Sequence, residues 1–324
     1  MHRLARDAAG LGTWHAGAMS SERVTHTRDT RRSALRSTLL TALSGDPDGA
    51  PPWVLRLEDG DDAGYFAEDG PAWTVHAGMG TLVAGIRALL MQALHPGALA
   101  GVHDWSRYRE DPLGRLAGTV RWIICVTYGS TAQAGDETAR VARLHERVAG
   151  TYTAGAGAER RYSAADAELV EWVHLAFTDS FLTCHRHWGG PIPGGDDAYV
   201  ADWATAGRLM HVADPPLSAD DLTARLDGFA DRGELRGDAR VAEVVGFLRR
   251  PPWPGVMGIA YRGLFASAVA TIPTRYRRML GLRRLPLPVI TTTRLVLAVA
   301  GRALSSGGPR ANDRARVRVR RLGV

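Results

Sequence analysis

The 324-residue sequence contains no lysine, so all 40 of its basic residues are arginine. That absence removes whole chemistries. Without an ε-amine no Schiff base can form, which excludes pyridoxal-phosphate and class I aldolase mechanisms. A P-loop lysine is excluded as well. Cysteine is nearly missing: Cys125 and Cys184 are the only two. Both lie in apolar, helix-like stretches and read as buried thiols rather than a disulfide framework. Long uninterrupted hydrophobic runs are absent. Arg87, Arg262 and Arg294 interrupt the three stretches that approach membrane length, so no transmembrane span is expected. No apolar core follows Met1-His-Arg-Leu-Ala-Arg6, so no secretory signal is read and a cytoplasmic protein is expected. Hydrophobic residues make up 45% and charged residues 23%, which excludes a disordered or collagen-like chain. The length suits one large domain or two intimate ones.

The formal net charge is +6, and it is concentrated at one end. From Arg302 onward there are seven arginines and one acid, Asp313, so this segment alone carries the surplus. The basic run follows Ser305-Ser-Gly-Gly-Pro309, a hinge by composition. Residues 305–324 therefore read as a solvated, flexible Arg-rich tail. A sharper reading makes the tail an electrostatic handle for peripheral contact with anionic membrane. No aromatic interleaving or groove-reading motif supports a nucleic-acid partner.

Helical periodicity fills nearly all of the remainder. Helices are expected near 31–44, 73–95, 112–128, 136–149, 163–188, 195–211, 218–231, 238–249, 255–271 and 288–304. No alternating run is long enough to build a sheet, and no internal repeat is present. The fold class is thus all-α, a multi-helix globule. It divides into an N-terminal helix and irregular segment (1–64), a main domain (65–304) and the tail (305–324). Thr81–Leu94 and Val256–Thr271 are apolar on more than one face, which predicts central positions for both.

Three of the eleven histidines sit on apolar helix faces. His145 shares a stripe with Val141, Leu144 and Val148. His174 shares one with Val170, Val173, Phe177 and Phe181. His95 follows Arg87 and Met91 at steps of four. A lone histidine in such a place is usually a hydrogen-bonded core residue. A buried neutral imidazole among apolar neighbours is also what a haem iron takes as axial ligand. Arginine in an apolar helix is costly unless paired. Arg87, Arg115 and Arg262 suit the carboxylates of a buried haem, or else pair internally with Asp111, Asp179 or Glu171. Glu171-Trp-Val-His174 is the Glu-x-x-His unit of di-iron bundles, but a second copy is missing. Cys184-His-Arg-His187 has no matching half for a structural zinc site.

Two blocks carry a resemblance. The first is Gly85-Ile-Arg-Ala-Leu-Leu-Met-Gln-Ala-Leu-His95-Pro96-Gly-Ala-Leu-Ala-Gly-Val102. The second is Ser106-Arg-Tyr-Arg109-Glu-Asp-Pro-Leu-Gly-Arg115-Leu-Ala-Gly-Thr119. With Ala142-Arg-Leu-His145-Glu-Arg-Val148, Trp172-Val-His174 and Ile272-Pro-Thr-Arg-Tyr, they resemble the MpaB and latex-clearing-protein family of oxygenases over roughly residues 65–300. The resemblance implies a globin-like all-α core holding one haem b. It implies His145 as the iron ligand, and Arg115 and Thr119 as catalytic polar groups on the opposite haem face. His174 is a second pocket histidine. Arg87, Met91, His95 and Arg143 complete the expected cofactor contacts. The implied reaction uses dioxygen on a hydrophobic, terpenoid-like or alkene-containing molecule, with oxidative C=C cleavage in the rubber-cleaving members.

The departures are specific. The family's distal lysine matches Gly118, a frequent histidine before Ser106 is Trp105, and a common arginine before the ligand is Ala142, with Arg143 adjacent. The competing expectations are a gas-binding haem protein without turnover and a helical protein without haem. The sequence names no electron donor.

Overall fold

A computed structural model describes residues 36–323, apart from 39, 42, 107–109, 155–156, 251–254, 287 and 306–307. The expected helix near 31–44 is described only over its second half, and part of the 305–309 hinge lies outside the described residues.

The chain is all-α, as its periodicity predicts. In order come α1 (Pro52–Leu55), a 3-10 turn (Arg56–Glu58), α2 (Pro71–Ala77), α3 (Thr81–Gln92), α4 (Pro96–Trp105), α5 (Pro112–Tyr128) and α6 (Thr131–His145). A hairpin follows, β1 (Ala149–Thr153) and β2 (Glu159–Ser163). Next are α7 (Ala167–Trp188), α8 (Gly195–Leu209), α9 (Ala219–Asp231), α10 (Ala239–Arg249) and α11 (Gly255–Thr271). The last three are α12 (Thr274–Met279), α13 (Val289–Ser305) and α14 (Ala311–Leu322).

Local chemistry accounts for the helix starts. Asp111 caps α5 by accepting from the Gly114 amide at 2.9 Å, with Pro112 in the first turn. Ser130, Ser218 and Asp238 cap α6, α9 and α10 in the same way. The core forms where α3 lies along α7, with α11 against α3 and α13 against α11.

Four expectations are corrected. The single helix expected over 73–95 is broken at Gly78-Met-Gly80 into α2 and α3, which meet at 95°. The break lets α7 approach closely, since a Cβ on Gly80 would lie 3.2 Å from the Cys184 carbonyl oxygen. No sheet was expected, yet β1 and β2 pair antiparallel, with Ala149 opposite Ser163 and Thr151 opposite Arg161. Of the two helices expected at the centre, α3 is buried, but α11 exposes Ile259 and Arg262.

The fourth correction concerns the Arg-rich tail. Residues 311–322 form α14, docked on the 3-10 turn, α1 and α5. Arg318 is fully buried and donates to the carbonyl oxygens of Leu57 (2.8 Å), Asp62 (3.0 Å), Ala63 (3.2 Å) and Tyr128 (2.8 Å). Arg314 pairs with Glu58, and Arg316 with Glu68, Asp69 and Asp313. The 57–64 segment turns tightly to meet it. Gly64 has φ 88°, and a Cβ there would lie 2.3 Å from the Gly129 carbonyl oxygen. Three of the tail's cations, Arg314, Arg316 and Arg318, are therefore spent on partners within the protein, while Arg320 and Arg321 stay exposed.

Among the described residues no single helix is long and apolar enough to cross a membrane.

Candidate active site

A cavity of about 640 Å³ lies between the helices. Its wall is overwhelmingly aliphatic and aromatic. Ile86 and Leu89 come from α3, Leu116, Val120 and Ile123 from α5, Phe177 and Phe181 from α7, Leu264 from α11, and Leu295 and Val299 from α13. A void of this size with a few polar groups on an apolar wall has the form of a small-molecule site.

Apart from Thr81, Gln92, Tyr128 and Tyr261, the polar groups on the wall fall at two places. The first is a pair on α5. Arg115 and Thr119, one turn apart, both reach the wall, and the Arg115 guanidinium donates to Thr119 Oγ1 at 3.1 Å. Burial pulls the Arg115 pKa below its ordinary value. Arg115 makes no ion pair among the described residues. The second is His76, at the end of α2. It packs against Trp203 (4.2 Å between centroids) and Phe181 (4.7 Å). Its Nε2 lies 3.3 Å from the Tyr199 hydroxyl, and its buried Nδ1 has no partner. Desolvation, helped by nearby His185, lowers the His76 pKa to about 3, so the ring is neutral.

His76 was not expected. Its signal was available, since Trp73 three residues earlier and Ala72 four earlier put it on an apolar helix face, as for the other histidines.

His145 closes α6 and is half-buried. It is not on the cavity wall, but it lies within the field of Arg115. Desolvation first and that guanidinium second lower its pKa, which keeps the imidazole neutral. His174 is buried on α7, its pKa lowered by desolvation to about 4, and its Nε2 has no partner. Gly207 of α8 lies flat on the ring, since a Cβ there would come within 2.9 Å of it.

The other expected cofactor contacts, Arg87, Met91, His95 and Arg143, lie off the cavity wall. Arg87 is buried, but it is committed to Asp179 at 2.6 Å and to Ser180 Oγ at 2.8 Å, so internal pairing wins. His95 caps α4: its Nδ1 accepts from the Gly97 amide at 3.2 Å, which leaves Nε2 to donate to Glu168 at 3.2 Å. Both ring nitrogens are used, and none is left for iron. Met91 is a core side chain away from the cavity, and Arg143 is exposed in the last turn of α6.

Among the described residues no group of three or more His, Cys, Asp or Glu side chains could hold a metal ion. Glu171, the carboxylate of the di-iron alternative, faces Arg225 at 3.4 Å instead.

Residues 73–305 match the family described as ER-bound oxygenase mpaB/B'/rubber oxygenase, catalytic domain. The chain belongs to that family. The match covers α3 to α13 and both polar places on the wall, while α1 and α14 lie outside it. No curated protein and no solved structure matches the chain. At family level the domain is an oxygenase catalytic domain, and such a domain takes a small-molecule substrate and dioxygen.

Proposed function

We propose that this protein is a haem b-dependent oxygenase acting with dioxygen on a hydrophobic small molecule, terpenoid-like or alkene-containing. The observation that carries the reading is Arg115, a half-buried guanidinium without an ion-pair partner among the described residues, on a largely apolar wall. A cation in that position calls for an anion on the ligand side, and a haem propionate offers one. The residues present fit the group in two further respects. His145 is held as neutral imidazole, the form with a lone pair to give. Gly118 has no heavy atom within 4 Å of where a Cβ would stand, so the place of the family's distal lysine is open space.

Bound haem supplies the activation of dioxygen. The chain's own residues do the rest. His145 would hold the iron, and Arg115 would pair with a propionate while Thr119 fixes its guanidinium. Phe177, Phe181, Leu116 and Ile123 exclude water and hold an apolar substrate by burial. His76, with its buried Nδ1 unpartnered, orients a substrate oxygen at the α2 end. The volume argues for turnover of an organic substrate over simple gas binding, because a diatomic needs little of 640 Å³. Oxidative cleavage of a carbon–carbon double bond is the outcome the rubber-oxygenase side of the family suggests.

The test is an absorption spectrum of protein from haem-supplemented cells, before and after dithionite. A Soret band that shifts on reduction, with one haem per chain, is expected. His145→Ala should abolish or displace it. A colourless protein refutes the reading, and an unchanged spectrum in the variant moves the ligand to His174. Oxygen uptake that depends on added lipophilic substrate separates an oxygenase from a gas binder.

A further inference from the structure

Between Glu243 and Asp313 the chain carries eleven arginines and not one aspartate or glutamate. The rest of the chain is net acidic, with 29 arginines against 34 acids. Most of the eleven lie on α11, α12, α13 and their connections. Arg275 pairs with two acids, Asp227 and Asp231. Arg262, Arg283, Arg284, Arg294 and Arg302 are all exposed and have no acidic partner among the described residues.

The same elements present the most exposed large apolar side chains described. Leu295 is 71% exposed and Ile259 67%, with Val299 and Leu285 near half. α11 and α13 are packed together, with Ser267 of one hydrogen-bonded to Thr293 and to the Val289 carbonyl of the other. Leu295 and Val299 also line the cavity, so the cavity opens on this face.

We infer that the α11–α13 face docks on an anionic phospholipid bilayer, with the cavity mouth turned toward the lipid. Aliphatic side chains ringed by arginine match a headgroup–acyl boundary: the alkyl groups enter the acyl region and the guanidinium groups stay with the phosphates. A nucleic acid would use the arginines but not Ile259 or Leu295. A second copy meeting face to face would bring two uncompensated positive surfaces together. No described helix need span the bilayer in this arrangement, since none among the described residues is long and apolar enough to do so. That the face serves substrate uptake rests on the oxygenase reading; the docking itself rests on the surface alone.

The test is co-sedimentation of the full-length chain with vesicles of phosphatidylcholine alone or mixed equally with phosphatidylglycerol. Binding to the mixed vesicles only is expected, and it should weaken as salt is raised. Arg283→Ala and Arg284→Ala should each lower partitioning about fivefold. Ile259→Glu should lower it about tenfold or more. Arg160→Ala, on exposed β2, should leave it unchanged. Should Ile259→Glu fail to fold, Ile259→Cys carrying an environment-sensitive dye replaces it, since Cys125 and Cys184 are buried. Dye emission should then shift to the blue on mixed vesicles.

Lack of binding, equal binding to both vesicles, or equal loss in the Arg160 variant overturns the proposal. So does binding to single-stranded nucleic acid that needs the arginines but not Ile259, or a dimer that Ile259→Glu dissociates without any vesicle binding. None of these readouts needs haem. A colourless protein that still binds vesicles refutes the oxygenase alone, and a haem-loaded one that ignores them refutes the docking alone.

Discussion

Arg318→Met should cost about 3–5 kcal/mol of stability, and the figure follows from the contacts of one side chain. The guanidinium donates to four backbone carbonyls, those of Leu57, Asp62, Ala63 and Tyr128. Hydrogen bonds to a charged group contribute about 1.5–3 kcal/mol each, so the gross loss is large. Two terms reduce it. The Asp62 and Ala63 bonds are only partly buried, so those carbonyls regain water. Removing the cation also recovers its desolvation cost, which already pulls the Arg318 pKa down. Leu57 and Tyr128 remain as two fully buried, unsatisfied acceptors. Thermal unfolding followed by circular dichroism should show a Tm about 6–10 °C lower, at about 2 °C per kcal/mol for a chain of this size. Arg320→Met, two residues on and exposed, should change Tm by less than about 1 °C. Equal shifts in the two variants would refute the docked helix and restore a solvated tail.

Asp179→Asn should destabilise by about 3–5 kcal/mol because it strands the buried Arg87 cation, whereas the double change Arg87→Met/Asp179→Leu should come out near neutral; denaturant midpoints measure both. Acid should destabilise the fold through His76 and His174. Their folded-state pKa values, about 3 and about 4, lie below the ordinary 6.5, so the unfolded chain binds more protons between those limits. Stability is then full above pH 6.5 and falls as pH drops, by about 2 kcal/mol per histidine between pH 7 and pH 5. His76→Phe should remove about half of that dependence in denaturant titrations at the two pH values.

Much of this architecture was legible in the sequence because its causes are local. Residues 112–128, 239–249 and 255–271 are helices where periodicity, capping residues and proline or glycine stops place them. Arg115 and Thr119 share a face for the same reason: four residues are about one helical turn. The family blocks pointed to the same α5 segment that lines the cavity.

What the sequence left open depends on partners far along the chain. Arg87 and Arg115 are alike locally, each an arginine in an apolar helix. One meets Asp179, 92 residues away, and is structural; the other has no acid to meet and is left facing a cavity. His95 resembled a metal ligand until the approach of α7 brought Glu168 to its free nitrogen. The Arg-rich end looked solvated because charge pattern is a local property, whereas the ring of carbonyls that receives Arg318 exists only once residues 57–64 and the end of α5 are folded together. Sequence by itself determined most of the helices and which residues are costly to bury. Tertiary structure alone decided how each buried charge is compensated, because a charge's environment is set by everything packed around it.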